Sequence, residues 1–115
     1  MPKRNRPEGD LVRACLAYLE AAGVFAWRNN SGMAMLPGRG GKPQPVRFGG
    51  MPGASDILGV LLGGRFLAVE CKVGKGKLSE AQRRFLERVD QMGGLALVVR
   101  DDVNGLVEEI EKVTP

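Results

Sequence analysis

The chain has 115 residues, of which 43% are apolar and 26% are charged, and these proportions are typical of one globular domain. It contains no histidine, which excludes Ser-His-Asp and Cys-His catalysis, histidine-ligated zinc and nucleases with a histidine base. The two cysteines are too few for a disulfide scaffold or a four-cysteine zinc site, so free thiols are expected. A net charge of +4 permits a polyanionic partner without requiring one.

The charged residues 1–10 lack the apolar core of a signal peptide, and no apolar run of the sequence is long enough to cross a bilayer. We therefore expect a cytoplasmic protein without a membrane partner. The glycine-rich segments match neither of the common phosphate-binding loop motifs, so no nucleotide cofactor is expected.

The first predicted element is a helix over residues 11–22, where apolar residues recur at helical spacing before the stop signal Gly23. A basic tail over residues 1–7 precedes this helix, and a short strand over residues 24–28 follows it. Residues 30–54 are dense in glycine and proline, which predicts a loop without long regular structure.

Two apolar runs, residues 56–62 and 65–73, flank Gly63 and Gly64 and predict a hairpin at the centre of a sheet. A capping box that begins at Ser79 predicts a second helix. A buried strand and an acidic helix complete the chain, over residues 95–99 and 103–113. This order of elements predicts an α/β fold with a mixed central sheet flanked by helices.

Asp56, Glu70 and Lys72 are the unusual residues of this pattern, because a charge in a central strand needs a partner. Glu70 and Lys72 are two residues apart and therefore face the same side of their strand. A two-residue hairpin loop would pair Asp56 with Cys71 and turn its side chain to the opposite face. An active site that contains Asp56 and Glu70 therefore requires an odd-length loop or a bulge.

Two facing carboxylates repel each other, by about 4 kcal/mol at about 4 Å and an effective dielectric constant of about 20. A hard divalent cation offsets this repulsion better than Lys72 alone, so Mg²⁺, or Mn²⁺ in its place, is a candidate cofactor. Its expected ligands are Asp56, Glu70 and a backbone carbonyl such as that of Cys71. Lys72 would orient the attacking water or stabilise charge on a phosphate. The alternative is a structural Glu70–Lys72 ion pair, with Asp56 as a turn residue.

The ordered motifs of the chain resemble the signature of PD-(D/E)XK nucleases, with Ser-Asp in place of Pro-Asp. The matching parts of that signature are Gly53-Ala-Ser-Asp56, a hairpin and Glu70-Cys-Lys72. Residues 27–32 and 49–56, with Ser79 and Gln82 at the next helix, narrow the resemblance to the VRR-NUC branch. It covers nearly the whole chain, and it implies one nuclease domain over residues 1–115 with a restriction-endonuclease-like αβββαβ core.

The resemblance implies the same metal ligands and a catalytic role for Lys72. It also implies a catalytic acid in the first helix, which corresponds best to Glu8, with Asp10 and Glu20 as alternatives. Gln82 is expected either to position the attacking water or the DNA, or only to cap its helix. DNA contacts are expected from the following residues: Arg28, Ser31, Arg39, Lys42, Arg47, Lys75 and Lys77.

The implied function is that of a metal-dependent DNA endonuclease that hydrolyses phosphodiester bonds. Family members of this size resemble bacterial or phage proteins, which would place the chain in a bacterial or phage-infected cytoplasm. The resemblance further implies a homodimer that cuts branched DNA, such as a four-way Holliday junction. Two alternatives remain at this point: a non-catalytic nucleic-acid-binding module, and a nuclease subunit that is active only with a larger helicase-like partner.

Overall fold

The computed structural model describes residues 6–30, 32–48 and 50–114. Within these ranges the helices are α1 (Arg6–Ala21), α2 (Glu80–Gln91) and α3 (Asn104–Val113). The strands are β1 (Phe25–Arg28), β2 (Gly32–Pro37), β3 (Pro43–Phe48), β4 (Ile57–Val60), β5 (Phe66–Lys72) and β6 (Leu95–Arg100). None of the described helices is both long and apolar enough to span a membrane.

The main sheet has the strand order β1-β4-β5-β6, and β2 and β3 form a separate two-stranded ribbon. The pairs β1–β4 and β4–β5 are antiparallel, whereas β5 and β6 are parallel. The predicted hairpin of β4 and β5 therefore occupies the sheet centre, as expected. The prediction of an α/β fold with a mixed central sheet flanked by helices is confirmed.

Helices cover both faces of the main sheet, because β5 is apolar on both sides. Leu67, Val69 and Cys71 point to one face, where they pack with the buried stripe of α1 and with α3. Ala68 points to the other face and packs with Leu86 and Val89 of α2. The alternation of β5 therefore places Glu70 and Lys72 on the side of α2.

The loop between β4 and β5 has an odd length. Ile57 pairs with Val69, and the N–H of Leu61 donates to the carbonyl of Arg65 at 2.8 Å. Residues 62–64 therefore form a three-residue loop between Leu61 and Arg65. Within this loop Gly63 has a φ of 95°, which a glycine adopts without strain. The register required for an active site is confirmed, since it brings Asp56 level with Glu70.

The prediction of a loop over residues 30–54 is wrong, because this segment contains the β2–β3 ribbon. The N–H of Gly38 donates to the carbonyl of Lys42 at 2.7 Å, so these two residues form a hydrogen-bonded pair. In an antiparallel ladder such pairs alternate with pairs that exchange no hydrogen bonds. The neighbouring pair, Pro37 with Pro43, is therefore of the second kind, and so is every second pair after it. At such positions the N–H would point away from the partner strand, and a proline there removes no hydrogen bond of the ribbon. Three prolines occupy these positions: Pro37, Pro43 and Pro45.

The start of α1 also corrects the sequence prediction. The helix begins at Arg6, so the basic tail predicted over residues 1–7 is wrong at its C-terminal end, and residues 1–5 lie outside the described ranges. Pro7 is tolerated in the first helical turn because the N–H it lacks would have no partner within the helix. The earlier start places Glu8 and Asp10 inside α1.

Candidate active site

Asp56 lies at the end of the sheet, directly before β4. Its main-chain carbonyl accepts a hydrogen bond from the N–H of Asn29 at 2.8 Å, which continues the pairing of β1 with β4. Its carboxylate Oδ2 accepts a hydrogen bond from the N–H of Cys71 at 2.8 Å. The side chain thereby serves as the acceptor for a strand amide beyond the last β4–β5 pair, and this contact fixes its direction.

Glu70 is a buried carboxylate, with a side chain that is only 2% exposed. Its Oε2 accepts a hydrogen bond from Gln82 Nε2 at 3.0 Å, and Lys72 Nζ lies 3.8 Å from the same oxygen. Its Oε1 is buried and has no hydrogen-bond partner within the part of the chain that the structure describes. An unsatisfied buried oxygen of this kind is costly and calls for a proton, a water or a cation.

The surroundings of Glu70 favour its neutral form when no cation is present. Burial raises its pKa from the ordinary value of 4.5 to about 8, and the nearby carboxylate of Asp56 is the next largest cause. Lys72 opposes this shift, and the charge of Glu8 adds the smallest contribution to it. The site is thus short of positive charge near Glu70 and Asp56, as expected for a cation-binding position.

Gln82 caps its helix, as one of its two alternatives predicted, and its side chain also contacts Glu70; a role towards water or DNA stays a prediction. Its Oε1 accepts a hydrogen bond from the N–H of Ser79 at 2.8 Å, and the Oγ of Ser79 accepts one from the N–H of Gln82 at 3.1 Å. This confirms the capping box of α2. Its Nε2 simultaneously donates to Glu70, so one amide closes the helix end and touches the candidate site.

Gly53 is a positioning residue whose role the sequence did not reveal. Its φ of 80° favours glycine, and a Cβ atom there would lie 2.2 Å from the carbonyl oxygen of Ala81. The chain before Asp56 therefore packs directly on the first turn of α2, which carries Gln82. The Gly-x-x-Asp spacing contained this residue, but only the position of α2 explains why it must be glycine.

Lys72 is followed by a turn that Arg100, at the end of β6, and Asp101, directly after it, hold in place. The carbonyl of Lys72 accepts a hydrogen bond from the N–H of Asp101 at 2.9 Å. The Oδ1 of Asp101 accepts from the N–H of Gly74 at 2.7 Å, and Arg100 Nη1 donates to the carbonyl of Gly74 at 2.7 Å. Asp101 has a φ of 71°, which is uncommon outside glycine. Sequence reasoning missed Arg100 and Asp101, because their role depends on the pairing of β5 with β6.

Among the three candidate acids of α1, Glu8 is the one that influences the site. It is half-buried in the first turn of the helix, and its charge acts on the pKa of Glu70. Asp10 instead pairs with Arg13 at the surface, and Glu20 is exposed near the other end of α1. Exposure and charge therefore favour Glu8 over its two alternatives.

Cys71 contributes its main chain to the site and its side chain to the core. Its Sγ lies 4.0 Å from the Sγ of Cys15 in α1, and both thiols are buried and free. The side chain therefore packs in the core, and the expectation of free thiols is confirmed. Because the N–H and carbonyl of one strand residue point to the same side, the carbonyl of Cys71 faces the side of Asp56.

These donors fit a hard divalent cation. The set comprises the carboxylates of Asp56 and Glu70, one with an unpartnered oxygen, and the carbonyl of Cys71. Among the described residues, no group of three or more His, Cys, Asp or Glu side chains could hold a metal ion. Water and substrate oxygens would therefore complete the coordination, and this arrangement is common for Mg²⁺.

No family model and no curated protein matches the chain. The support for a function therefore comes from the chemistry and spacing of Asp56, Glu70 and Lys72.

The residues expected to contact DNA are spread over several exposed segments. Arg28 ends β1, and Ser31 lies outside the described residues. The others are exposed at the tip of the ribbon, on β3 and after β5: Arg39, Lys42, Arg47, Lys75 and Lys77.

Proposed function

We propose that this chain is a metal-dependent endonuclease of the VRR-NUC type that hydrolyses phosphodiester bonds in DNA. One observation carries the proposal: the β4–β5 register sets Asp56 level with a buried Glu70 that has an unpartnered oxygen. A purely structural ion pair explains this arrangement poorly. It would leave one hydrogen bond from Gln82 and a 3.8 Å contact with Lys72, both at Oε2, as the compensation for a desolvated carboxylate whose Oε1 has no partner among the described residues.

Asp56, Glu70 and the carbonyl of Cys71 would hold Mg²⁺ or Mn²⁺, which supplies a polarised phosphate and a lowered pKa for the attacking water. The ammonium group of Lys72 donates hydrogen bonds to a phosphate oxygen, where negative charge develops during attack. Gln82 holds Oε2 of Glu70 through its Nε2, which leaves Oε1 for the cation. Glu8 adds negative charge on the side of α1 and favours cation binding.

The proposed substrate is branched DNA, with a four-way junction as the leading candidate, and the proposed active form is a homodimer. Two active sites related by a two-fold axis suit paired nicks in a junction of the same symmetry. The formal net charge of +4 is compatible with a polyanionic substrate. Sedimentation analysis of the free protein and of its junction complex tests the dimer separately from the chemistry.

The first experiment is a cleavage assay on labelled four-way junctions, flaps and plain duplex, with Mg²⁺, Mn²⁺ or EDTA. Lys72→Ala is compared with Lys112→Ala, because Lys112 is an exposed lysine that pairs with Glu109 at 3.0 Å. We expect metal-dependent cutting of the junction that Lys72→Ala slows about 100-fold or more. Lys112→Ala should cut at the wild-type rate.

The other outcomes separate the alternatives. Cutting of flaps or duplex in place of junctions would keep the nuclease and remove the junction substrate. Mn²⁺ and DNA binding without cutting would favour a subunit that needs a helicase-like partner. DNA binding without metal binding or cutting would favour a non-catalytic module. Cutting in EDTA, or full activity of Lys72→Ala, would contradict the mechanism.

A further inference from the structure

The β2–β3 ribbon stands apart from the main sheet, since its two strands pair only with each other in the described sheets. The radius of gyration of the molecule is 15.7 Å, whereas a compact chain of this length has about 13 Å. The longest axis is 57 Å against a shortest axis of 24 Å. The ribbon is therefore a projecting arm, and none of the candidate metal ligands lies on it.

The charge of this arm is entirely positive. Residues 30–54 contain Arg39, Lys42 and Arg47 and no aspartate or glutamate. Arg39 and Lys42 are exposed in the turn at the tip. The β2–β3 register puts Arg47 on the same ribbon face as Met35, which is 63% exposed. Exposed cations and an apolar side chain, in a segment whose sequence contains no acidic residue, suit a nucleic acid surface.

Both ends of the arm are anchored beside the candidate site. On the outgoing side, the N–H of Asn29 donates to the carbonyl of Asp56. On the return side, Gly53 packs against the backbone of Ala81 in α2. The arm is therefore continuous with the segment that positions Asp56, and a molecule bound at the base of the arm lies near the carboxylates.

The edges of the arm are unsuited to pairing with a strand from a second copy of the chain. The prolines of β2 and β3 occupy outward-facing positions, where they remove the donors that such pairing would use. A two-stranded ribbon does fit the DNA major groove, which is about 12 Å wide. Six-residue strands span about 20 Å, which corresponds to about six base pairs.

We infer that the β2–β3 ribbon lies in the major groove of a DNA duplex arm next to the bond that is cut. Arg39 and Lys42 at the tip contact phosphates on the far side of the groove, and Arg47 contacts them nearer the site. This inference rests on the proposed function in one respect, namely that the substrate is DNA. On this inference the ribbon binds the duplex arm, and the residues of the main sheet carry out the hydrolysis.

DNA binding in EDTA tests the inference without cleavage. Affinity for a junction with long arms is measured by fluorescence anisotropy between 50 and 200 mM salt, approximately the range over which phosphate contacts show strongly. The double variant Arg39→Ala/Lys42→Ala should make the negative slope of log affinity against log salt shallower by about 2. It should also weaken binding about tenfold or more at low salt.

The matched control is Arg13→Ala/Lys112→Ala, which removes the same charge from two exposed residues of α1 and α3. It should keep the wild-type slope. Methyl green, a major-groove ligand, should reduce wild-type affinity to that of the tip variant, whereas the minor-groove ligand netropsin should not. Junction arms shorter than about six base pairs should lose the same contribution to affinity.

Equal salt slopes for the wild type and the tip variant would overturn the inference, and so would competition by netropsin instead of methyl green. These failures are distinguishable from failure of the proposed function. A wild type that never cuts DNA but shows the tip-dependent slope keeps the arm and loses the nuclease. A wild type that cuts junctions but shows no tip-dependent slope keeps the nuclease and loses the arm.

Discussion

At Gln82, one amide serves its helix through the oxygen and Glu70 through the nitrogen. Gln82→Glu keeps the first contact and removes the second. A glutamate side chain still accepts a hydrogen bond from the N–H of Ser79 in the capping box, but an ionised glutamate cannot donate one to Glu70. We expect the free energy of unfolding in EDTA to fall by about 1–3 kcal/mol, because Glu70 loses its donor and gains an acidic neighbour. Urea unfolding at about pH 9, above the pKa of Glu70 of about 8, measures this loss because Glu70 is then ionised and cannot donate.

Ser79→Ala is the control for Gln82, because it removes the side-chain cap and leaves the donor to Glu70 in place. Its loss should be about 1 kcal/mol. Added Mg²⁺ should recover part of the stability of Gln82→Glu, whose extra carboxylate gains a counter-charge, and should not distinguish Ser79→Ala from the wild type. An unchanged unfolding midpoint for Gln82→Glu in EDTA would contradict the described contact.

Glu70 predicts how stability depends on pH in the absence of metal. Its pKa of about 8 in the folded protein lies above its ordinary value of 4.5, so the folded state holds this proton more tightly than the unfolded state. The stabilisation is full below about pH 4.5 and is lost as the pH rises towards 8. We expect the urea midpoint in EDTA to fall across this window.

Glu70→Gln is the matched variant, because it is neutral at every pH and retains the size of the side chain. Its stability should change less between pH 5 and pH 8 than that of the wild type, in buffers that hold about the same ionic strength. Parallel pH profiles for the two proteins would show that Glu70 ionises as freely in the folded state as in the unfolded state.

The residues of the site differ in how far the sequence could predict them. Asp56, Glu70 and Lys72 were predictable, because strand alternation and the hairpin register relate them within one local unit. The contact of Gln82 with Glu70 was not, since it depends on where α2 crosses the sheet. The close approach of Gly53 to Ala81 has the same cause.

Among the elements, the segment before β4 gives the sharpest prediction. Gly53→Ala and Gly63→Ala both place a side chain at positive φ, 80° and 95° respectively, but only Gly53 faces the backbone of Ala81. Gly63→Ala should cost about 1 kcal/mol of backbone strain. Gly53→Ala should cost about 2 kcal/mol more, because the first turn of α2 must move.

Thermal unfolding of the two glycine variants measures this difference, and cleavage rates add a second readout. Displacement of α2 takes Gln82 away from Glu70, so Gly53→Ala should lose activity while Gly63→Ala retains it. Equal stability and equal activity of the two variants would contradict the positioning role of Gly53.

Elements with local signals were predictable, and elements that depend on pairing were not. The capping box identified the start of α2, and the apolar runs around Gly63 identified β4 and β5. The β2–β3 ribbon was missed because proline is normally read as a strand breaker. Its prolines are harmless only in the observed register, and the composition of residues 30–54 does not reveal that register.

At the scale of the whole molecule, cation binding should appear as added stability. A ligand that binds only the folded state at 100 times its dissociation constant raises the free energy of unfolding by about 2.7 kcal/mol. We expect Mn²⁺ to raise the thermal unfolding midpoint of the wild type and to leave that of Asp56→Asn unchanged. Asp90→Asn, which alters an exposed aspartate of α2, should respond like the wild type.

The same titration can contradict the metal site directly. An equal shift for Asp56→Asn and the wild type would place the bound cation elsewhere.

The overall architecture was predictable from the order of elements, because strands apolar on both faces require helices on both sides. The projection of the arm was not, since it follows from the pairing of β2 with β3.

The buried thiols of Cys15 and Cys71 face each other between α1 and β5. A thiol reagent in solution reaches them only when the helix lifts away from the sheet, so the labelling rate counts these openings. Cys71 lies between Glu70 and Lys72, which face the opposite side of β5. A cation or DNA bound on the face of Glu70 and Lys72 should hold β5 more firmly and should therefore slow the labelling of both thiols. The labelling rate of these two thiols therefore measures how firmly β5 is held.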